Sequence, residues 1–294
     1  DDFYALREQQ ERVRQRGADL LRTATTARDR IRRKLAMQEK DYAATQNRDQ
    51  LRIYGDLITA NLYRMERGAA RLETENFYDP ECRPVAIPLD PLLTPQQNAA
   101  KYYKRYTKAK TAEKYLAEQM ALARRDLDYL ESVLEELSRA ETEQDFLDIR
   151  GELRDAGFLR RQGKKEQNRP AKPLEFRTTS GFRVLVGRNN RQNDKLTRSA
   201  DHRDIWLHTQ KIHGSHVILC TGGREVDDDT IVEAAKLAAW FSQAREGANV
   251  PVDYTPVKNV KKPAGARPGM VIYSTCRTVN VAPEEGLVKK LQLS

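Results

Sequence analysis

Residues 95–139 read PQQNAAKYYKRYTKAKTAEKYLAEQMALARRDLDYLESVLEELSR. Within them Tyr102, Tyr106, Ala109, Glu113, Leu116, Met120, Ala123, Leu127, Leu130, Leu134 and Leu137 recur at alternating steps of four and three, and ten of these eleven are apolar. A period of about 3.5 residues is the seam of a coiled coil. Thr94 ahead of Pro95 supplies an N-cap followed by proline at the first helical position, and no other Pro or Gly interrupts before Gly151. A single long helix is expected.

The same spacing laid on the N-terminal residues gives Phe3, Leu6, Gln10, Val13, Gly17, Leu20, Ala24, Ala27, Ile31, Lys34 and Gln38, where seven of eleven are apolar. Two such helices separated by a short insert fold back as an antiparallel coiled-coil hairpin. Between them, RLETENFYDPECRPVAIPLD (71–90) has Asp79-Pro80 as a turn with short extended runs on either side, which predicts a small β module at about 66–94. The competing reading of the helices is a homodimerisation device. Arms that pair with each other satisfy their own seam, so a monomeric hairpin acting as a spacer is the expectation.

After an amphipathic helix around Glu143 to Ala156 the composition changes to FLRRQGKKEQNRPAKP, a basic linker at 158–173 that closes the 1–157 hairpin. Beyond it, 174–294 alternates extended runs with helical ones and reads as a mixed α/β domain. Strands are expected at Leu174 to Arg177, Phe182 to Gly187, Asp204 to His208, Ser215 to Thr221, Met270 to Ser274 and Arg277 to Val281, with a helix over Asp227 to Ala244. The fold class is therefore a helical hairpin followed by an α/β domain.

The chain carries 52 Lys and Arg against 43 Asp and Glu over 294 residues, a net charge of +9. Residues 158–213 alone hold 14 basic and 5 acidic residues, so this segment equals the whole excess. Such concentration is the footprint of a polyanion partner, because each cation placed on a phosphate releases condensed counterions. A solvated linker is the alternative. No apolar run approaches the ~20 residues of a membrane span, and DDFYALREQQ lacks the basic start and apolar core of a signal peptide, so a cytoplasmic, membrane-free protein is expected. The sequence begins inside a helical pattern, as a segment of a longer protein would. Cys82, Cys220 and Cys276 are odd in number and far apart, which fits neither a disulfide framework nor a metal pair.

Three clusters could carry chemistry. In GRNNRQNDK (187–195), a strand gives way to a helix start whose N–H groups attract phosphate, with Arg188, Asn189, Asn190, Asn193 and Asp194 as polar contacts. A capped helix with a solvated face is the alternative. In DIWLH (204–208) and GSHVI (214–218), Trp206, His208, Ser215 and His216 sit on alternating strands. All four histidines fall between 202 and 216, yet their spacing matches no helical zinc pattern, and no G-x-S-x-G elbow surrounds Ser215. Neither a metal site nor a catalytic serine is expected. Stacking of Trp206 on a nucleobase suits a basic sheet better. The third cluster is the loop of Lys258, Lys261 and Lys262, stiffened by Pro263 and opened by Gly265, whose natural use is phosphate contact; a solubilising loop is the alternative.

The strings VGRNNRQNDKLT, DIWLHTQKIHGSHVIL and VKNVKKPAGARPGMVIY resemble the C-terminal NFACT-R domain of the NFACT family, the bacterial RqcH and eukaryotic NEMF proteins, also called fibronectin-binding protein A homologues. The family's coiled coil with its inserted M module is similar to the hairpin read above, so the resemblance covers essentially the whole chain. His213 departs from the family pattern, which often has Pro before Gly-Ser-His. The resemblance implies ribosome-associated quality control, with binding to a large ribosomal subunit obstructed by peptidyl-tRNA and recruitment of alanyl-tRNA for C-terminal alanine tailing. It also implies a scaffold without catalytic residues or cofactors, because the ribosome performs the peptide transfer, and a segment that lacks the family's tRNA-selecting NFACT-N domain and the helix-hairpin-helix region after it. Competing classes are a fibronectin-binding adhesin and a nucleic-acid-processing enzyme.

Overall fold

A computed structural model describes residues 2–160 and 170–293. Most of the expected basic linker, 161–169, lies outside the described residues. The chain divides into two compact units, Arg32–Arg124 and the combination of Asp1–Ile31 with Arg125–Ser294. Two long helices, α1 (Asp2–Thr45) and α3 (Pro95–Arg139), contribute to both.

In the Arg32–Arg124 unit, Glu39 of α1 meets Arg124 of α3 at 2.9 Å, while Arg48, opening α2 (Arg48–Ala60), meets Glu113 at 2.5 Å. The rising number on one side against the falling number on the other is the antiparallel pairing the seams predict. Glu113, the one polar seam residue of α3, is thus matched by a cation. On α1 the expected seam needs correction: Leu35 is buried and Lys34 exposed. Two successive steps of four, Ala27 to Ile31 to Leu35, shift the stripe by one residue because a straight helix at 3.6 residues per turn drifts off a strict heptad. The N-terminus of α3 is a reciprocal cap, with Gln97 N–H donating to Thr94 Oγ1 at 3.2 Å and Thr94 N–H to Gln97 Oε1 at 2.9 Å. Strands β1 (Arg71–Glu75) and β2 (Pro84–Pro88) form the expected hairpin, and Leu72 and Ile87 bury against Leu57 and Ile58 of α2 and Tyr102 of α3.

The larger unit holds the start of α1, the end of α3, α4 (Glu143–Asp155) and the C-terminal domain. Its sheet has six strands: β3 (Leu174–Arg177), β4 (Arg183–Val186), β5 (Ile205–Thr209), β6 (Val217–Cys220), β7 (Val250–Pro256) and β10 (Arg277–Val281). Their order is β10-β7-β5-β6-β4-β3 and every pairing is antiparallel. Alternation sorts the side chains. Val184, Leu207, Val217 and Leu219 face the alanine-rich α6 (Asp228–Trp240), whereas Trp206 and Ile218 face α5 (Asn190–Ser199) and Val257.

Strand β7 is absent from the sequence reading because Pro251 and Pro256 argue against a central strand. Pro251 is tolerated because its carbonyl still accepts from Gln210 N–H at 2.9 Å, and Pro256 ends the strand. The strand expected over Met270 to Ser274 shrinks to β9 (Ile272–Tyr273), paired with β8 (Val260–Lys261) outside the main sheet. Helix α7 (Glu285–Leu291) closes the domain and was likewise unforeseen.

Candidate nucleic-acid interface

The asparagine-rich cluster folds inward. Asn189 caps α5, its Oδ1 accepting from Gln192 N–H at 2.9 Å, and Asn193 Oδ1 accepts from His216 N–H at 3.1 Å, tying the helix to β6. Asn190 is 4% exposed and donates to Ser132 Oγ of α3 at 2.9 Å and to Glu152 Oε1 of α4 at 3.2 Å. Arg188 forms a two-pronged ion pair with the buried Asp145 of α4. Burial alone would raise the Asp145 pKa, but Arg188 and Thr142 outweigh it and hold it below the usual carboxylate value. These polar side chains are aligned by the chain itself and fix the C-terminal domain to the helices. Arg139 Nη1 on Ser215 Oγ at 2.9 Å and Arg267 on Asp126 at 2.6 Å extend the same latch. Ser215 also donates to Gly187 O at 2.6 Å, a contact that positions the start of β6 against the end of β4.

Trp206 is 0% exposed, so the expected stacking of a base on its ring requires a correction: the indole offers no free face. His208 stacks at 5.7 Å between centroids, Tyr273 lies at 4.8 Å and His216 meets the edge at 5.3 Å. Burial pushes His208 down to about 4 and His216 to about 3, so both imidazoles are neutral near pH 7. His216 Nδ1 shares a 2.8 Å hydrogen bond with Thr197 Oγ1. The Trp206 Nε1–H is buried without a hydrogen-bond partner among the described residues, a placement that ordinarily costs about 1–3 kcal/mol.

Of the three loop lysines, Lys258 and Lys261 are exposed and carry no ion pair among the described residues, whereas Lys262 binds Asp194. Asp194 also accepts from Gly269 N–H at 3.1 Å, which pins the loop on α5. Gly269, at φ +78°, is required there, since a Cβ would overlap Asn190 Oδ1. On α5 the outward residues Lys195 and Arg198 are exposed, three apart on one face, and add to the cations of this loop.

Asn190, Trp206, His208 and His216 do converge, on the wall of a cavity of about 310 Å³. Its other walls are residues the sequence reading did not select: Asp128 and Ser132 of α3, Lys211 with its backbone at φ +57°, Met270 and Tyr273. Lys211, Met270 and Tyr273 lie inside the motifs quoted above; Asp128 and Ser132 had no local signal. No cluster of three His, Cys, Asp or Glu among the described residues is arranged to hold a metal ion.

Comparison with known proteins matches residues 1–172 to the NFACT N-terminal and middle domains and residues 172–274 to the NFACT protein RNA binding domain. The chain belongs to the NFACT family. Its relatives include the Rqc2 homolog RqcH of Bacillus subtilis, 41% identical over 300 residues, and that of Streptococcus pneumoniae, 36% identical over 296. Each alignment takes in all of this chain, which spans 52% and 53% of those relatives' lengths. Among solved structures, the C-terminal part of the fibronectin/fibrinogen-binding protein of Streptococcus suis superposes with a TM-score of 0.76 at 30% identity, over 96% of this chain and 100% of that one. The polar latch and the buried ring cluster thus lie within the matched NFACT RNA-binding region and its junction with the helices.

Proposed function

We propose that this chain is the ribosome-contacting part of a quality-control factor, binding the obstructed large ribosomal subunit with its peptidyl-tRNA. In the full protein this contact supports recruitment of alanyl-tRNA and C-terminal alanine tailing of the stalled chain. The ribosome supplies the peptidyl-transfer chemistry and this chain supplies position, so it acts without a catalytic residue. The site of action is the cytoplasm, and the chain works as a monomer.

The observation that carries the RNA reading is the set of exposed cations with no ion pair among the described residues, Lys258 and Lys261 on a loop pinned to α5 and Lys195 and Arg198 on α5 itself. Charges that no carboxylate satisfies, fixed on a rigid support, suit phosphate oxygens. The kinship with RqcH proteins supports ribosomal RNA and tRNA as the polyanions of this reading. The test is cosedimentation of the chain with purified large subunits across a salt series. Binding that falls steeply with salt and weakens in K258E/K261E supports the proposal, and no binding at low salt overturns it. The name of the Streptococcus suis structure favours a second reading, capture of fibronectin. Saturable binding to immobilised fibronectin, unaffected by K258E/K261E, would support that reading instead.

A further inference from the structure

The cavity beside the buried ring cluster is not accounted for by the latch or by the surface lysines. It measures about 310 Å³, at the low end of the ~300–1,000 Å³ of small-ligand sites. That is room enough for a planar aromatic group. The Met270 and Tyr273 side chains give it an apolar, aromatic wall, and His213, whose Nε2 lies 3.7 Å from Asp128 Oδ1, adds a polar one.

Charge narrows the occupant. Asp128 lines the cavity with His213 Nε2 3.7 Å from its Oδ1, and the imidazoles of His208 and His216 are neutral there, so an anion inside would meet a carboxylate and no buried lysine or arginine among the lining residues. A cation would need more than the one carboxylate. An uncharged heteroaromatic ring with hydrogen-bonding edges fits both constraints. Lys211 is the charged residue that does suit an anion, and it is exposed, unpaired among the described residues, and held in the left-handed backbone region. A non-glycine residue kept at positive φ is a strained placement that recurs at ligand sites.

We propose that this cavity takes one unstacked base of a single-stranded RNA, with Lys211 meeting the adjoining phosphate. The inference rests on the RNA-binding reading above and adds a specific subsite to it. Lys258 and Lys261 carry the rest of the backbone, and the cavity supplies the part of affinity that salt does not screen.

The experiment uses the full chain and a short single-stranded oligoribonucleotide with one internal 2-aminopurine, compared with the same strand made abasic at that position. Insertion changes the 2-aminopurine emission saturably, and the abasic strand binds about tenfold more weakly, the size expected for one base held against aromatic groups. M270W, which fills the cavity, removes both the emission change and the preference for the intact strand while leaving the salt dependence in place. Ile212→Trp at the same wall does so independently should M270W fail to fold. Equal affinity of the unmodified chain for intact and abasic strands overturns the proposal, as does a preference that survives both filling variants. Absence of RNA binding by the unmodified chain at low salt is a different result, and it overturns the RNA reading itself.

Discussion

The guanidinium of Arg188 grips both carboxylate oxygens of Asp145, with Nε 2.7 Å from Oδ1 and Nη2 2.8 Å from Oδ2. The pair joins Arg188, two residues past the end of β4, to the first turn of α4. Asp145 simultaneously closes the capping box of that helix, accepting from Thr142 N–H at 3.0 Å and from Thr142 Oγ1 at 2.7 Å. An arginine in a basic, asparagine-rich string therefore serves the fold through contacts more than forty residues away in sequence.

Arg188→Met leaves a buried carboxylate without its cation. Removing one partner from such a pair costs on the order of 3–5 kcal/mol, reduced here because the Arg188 side chain is 23% exposed. The sequence reading places Arg188 among solvent-facing RNA contacts, a position whose replacement would leave the thermal midpoint nearly unchanged. The structure requires the reverse: a lower midpoint, and a salt dependence of RNA binding that stays as it was. Urea unfolding of R188M beside a salt titration of RNA binding reads both.

Trp206→Ala removes the largest fully buried side chain of the domain and is expected to cost about 3–5 kcal/mol of stability. Trp206→Phe keeps most of the apolar area and deletes the unpartnered Nε1–H, so its cost should be well under half of that. Equal losses for the two variants, measured by chemical denaturation, would show that the indole N–H finds a partner in solution.

The two coiled-coil helices, the β hairpin and α4 were legible because each rests on local pattern: heptad spacing, an Asp-Pro turn, a Thr-Pro cap. Strand β7 was hidden because its two prolines obey a rule about hydrogen-bond donors that only the neighbouring strands can relax. The site was half legible. Asn190, Trp206, His208 and His216 do meet at one cavity, yet sequence cannot tell a polar side chain that faces a ligand from one that faces Glu152 or Ser132. That distinction depends on docking between elements distant along the chain. Asp128 and Ser132 were missed for the same reason, and Lys211, though inside a quoted motif, shows its place on the wall only in the folded chain.

Acid should loosen the C-terminal domain through its two buried histidines. Their folded pKa values, about 4 for His208 and about 3 for His216, lie below the ordinary 6.5, so the unfolded chain binds more protons in this window. Their contribution is fully present above pH 6.5 and is lost progressively as pH falls through about 4 and 3. The thermal midpoint is expected to drop on that side, and His208→Gln should flatten the drop. An unchanged slope in H208Q would mean that His208 is charged or solvated in the folded protein.

Glu136 produces a slope of the opposite sign. It is 3% exposed, between α4 and the C-terminal domain, and burial raises its pKa well above 4.5, with the neighbouring Glu152 carboxylate adding to the effect. In the folded chain this acid therefore holds a proton that the unfolded chain releases above pH 4.5. Its stabilising contribution is complete below that value and is lost as pH rises toward the folded pKa. Glutamine has the shape of the protonated acid and nothing to titrate. Glu136→Gln should match the unmodified chain near pH 4 and exceed it increasingly as pH rises toward 8. Asp145 pulls the other way at low pH, because its pKa is held down and its ion pair weakens only as it protonates. Comparing E136Q with the unmodified chain across the series cancels that contribution. A difference in unfolding free energy that is the same at every pH would show Glu136 to be ionised in the fold, with Arg139 as its counter-ion.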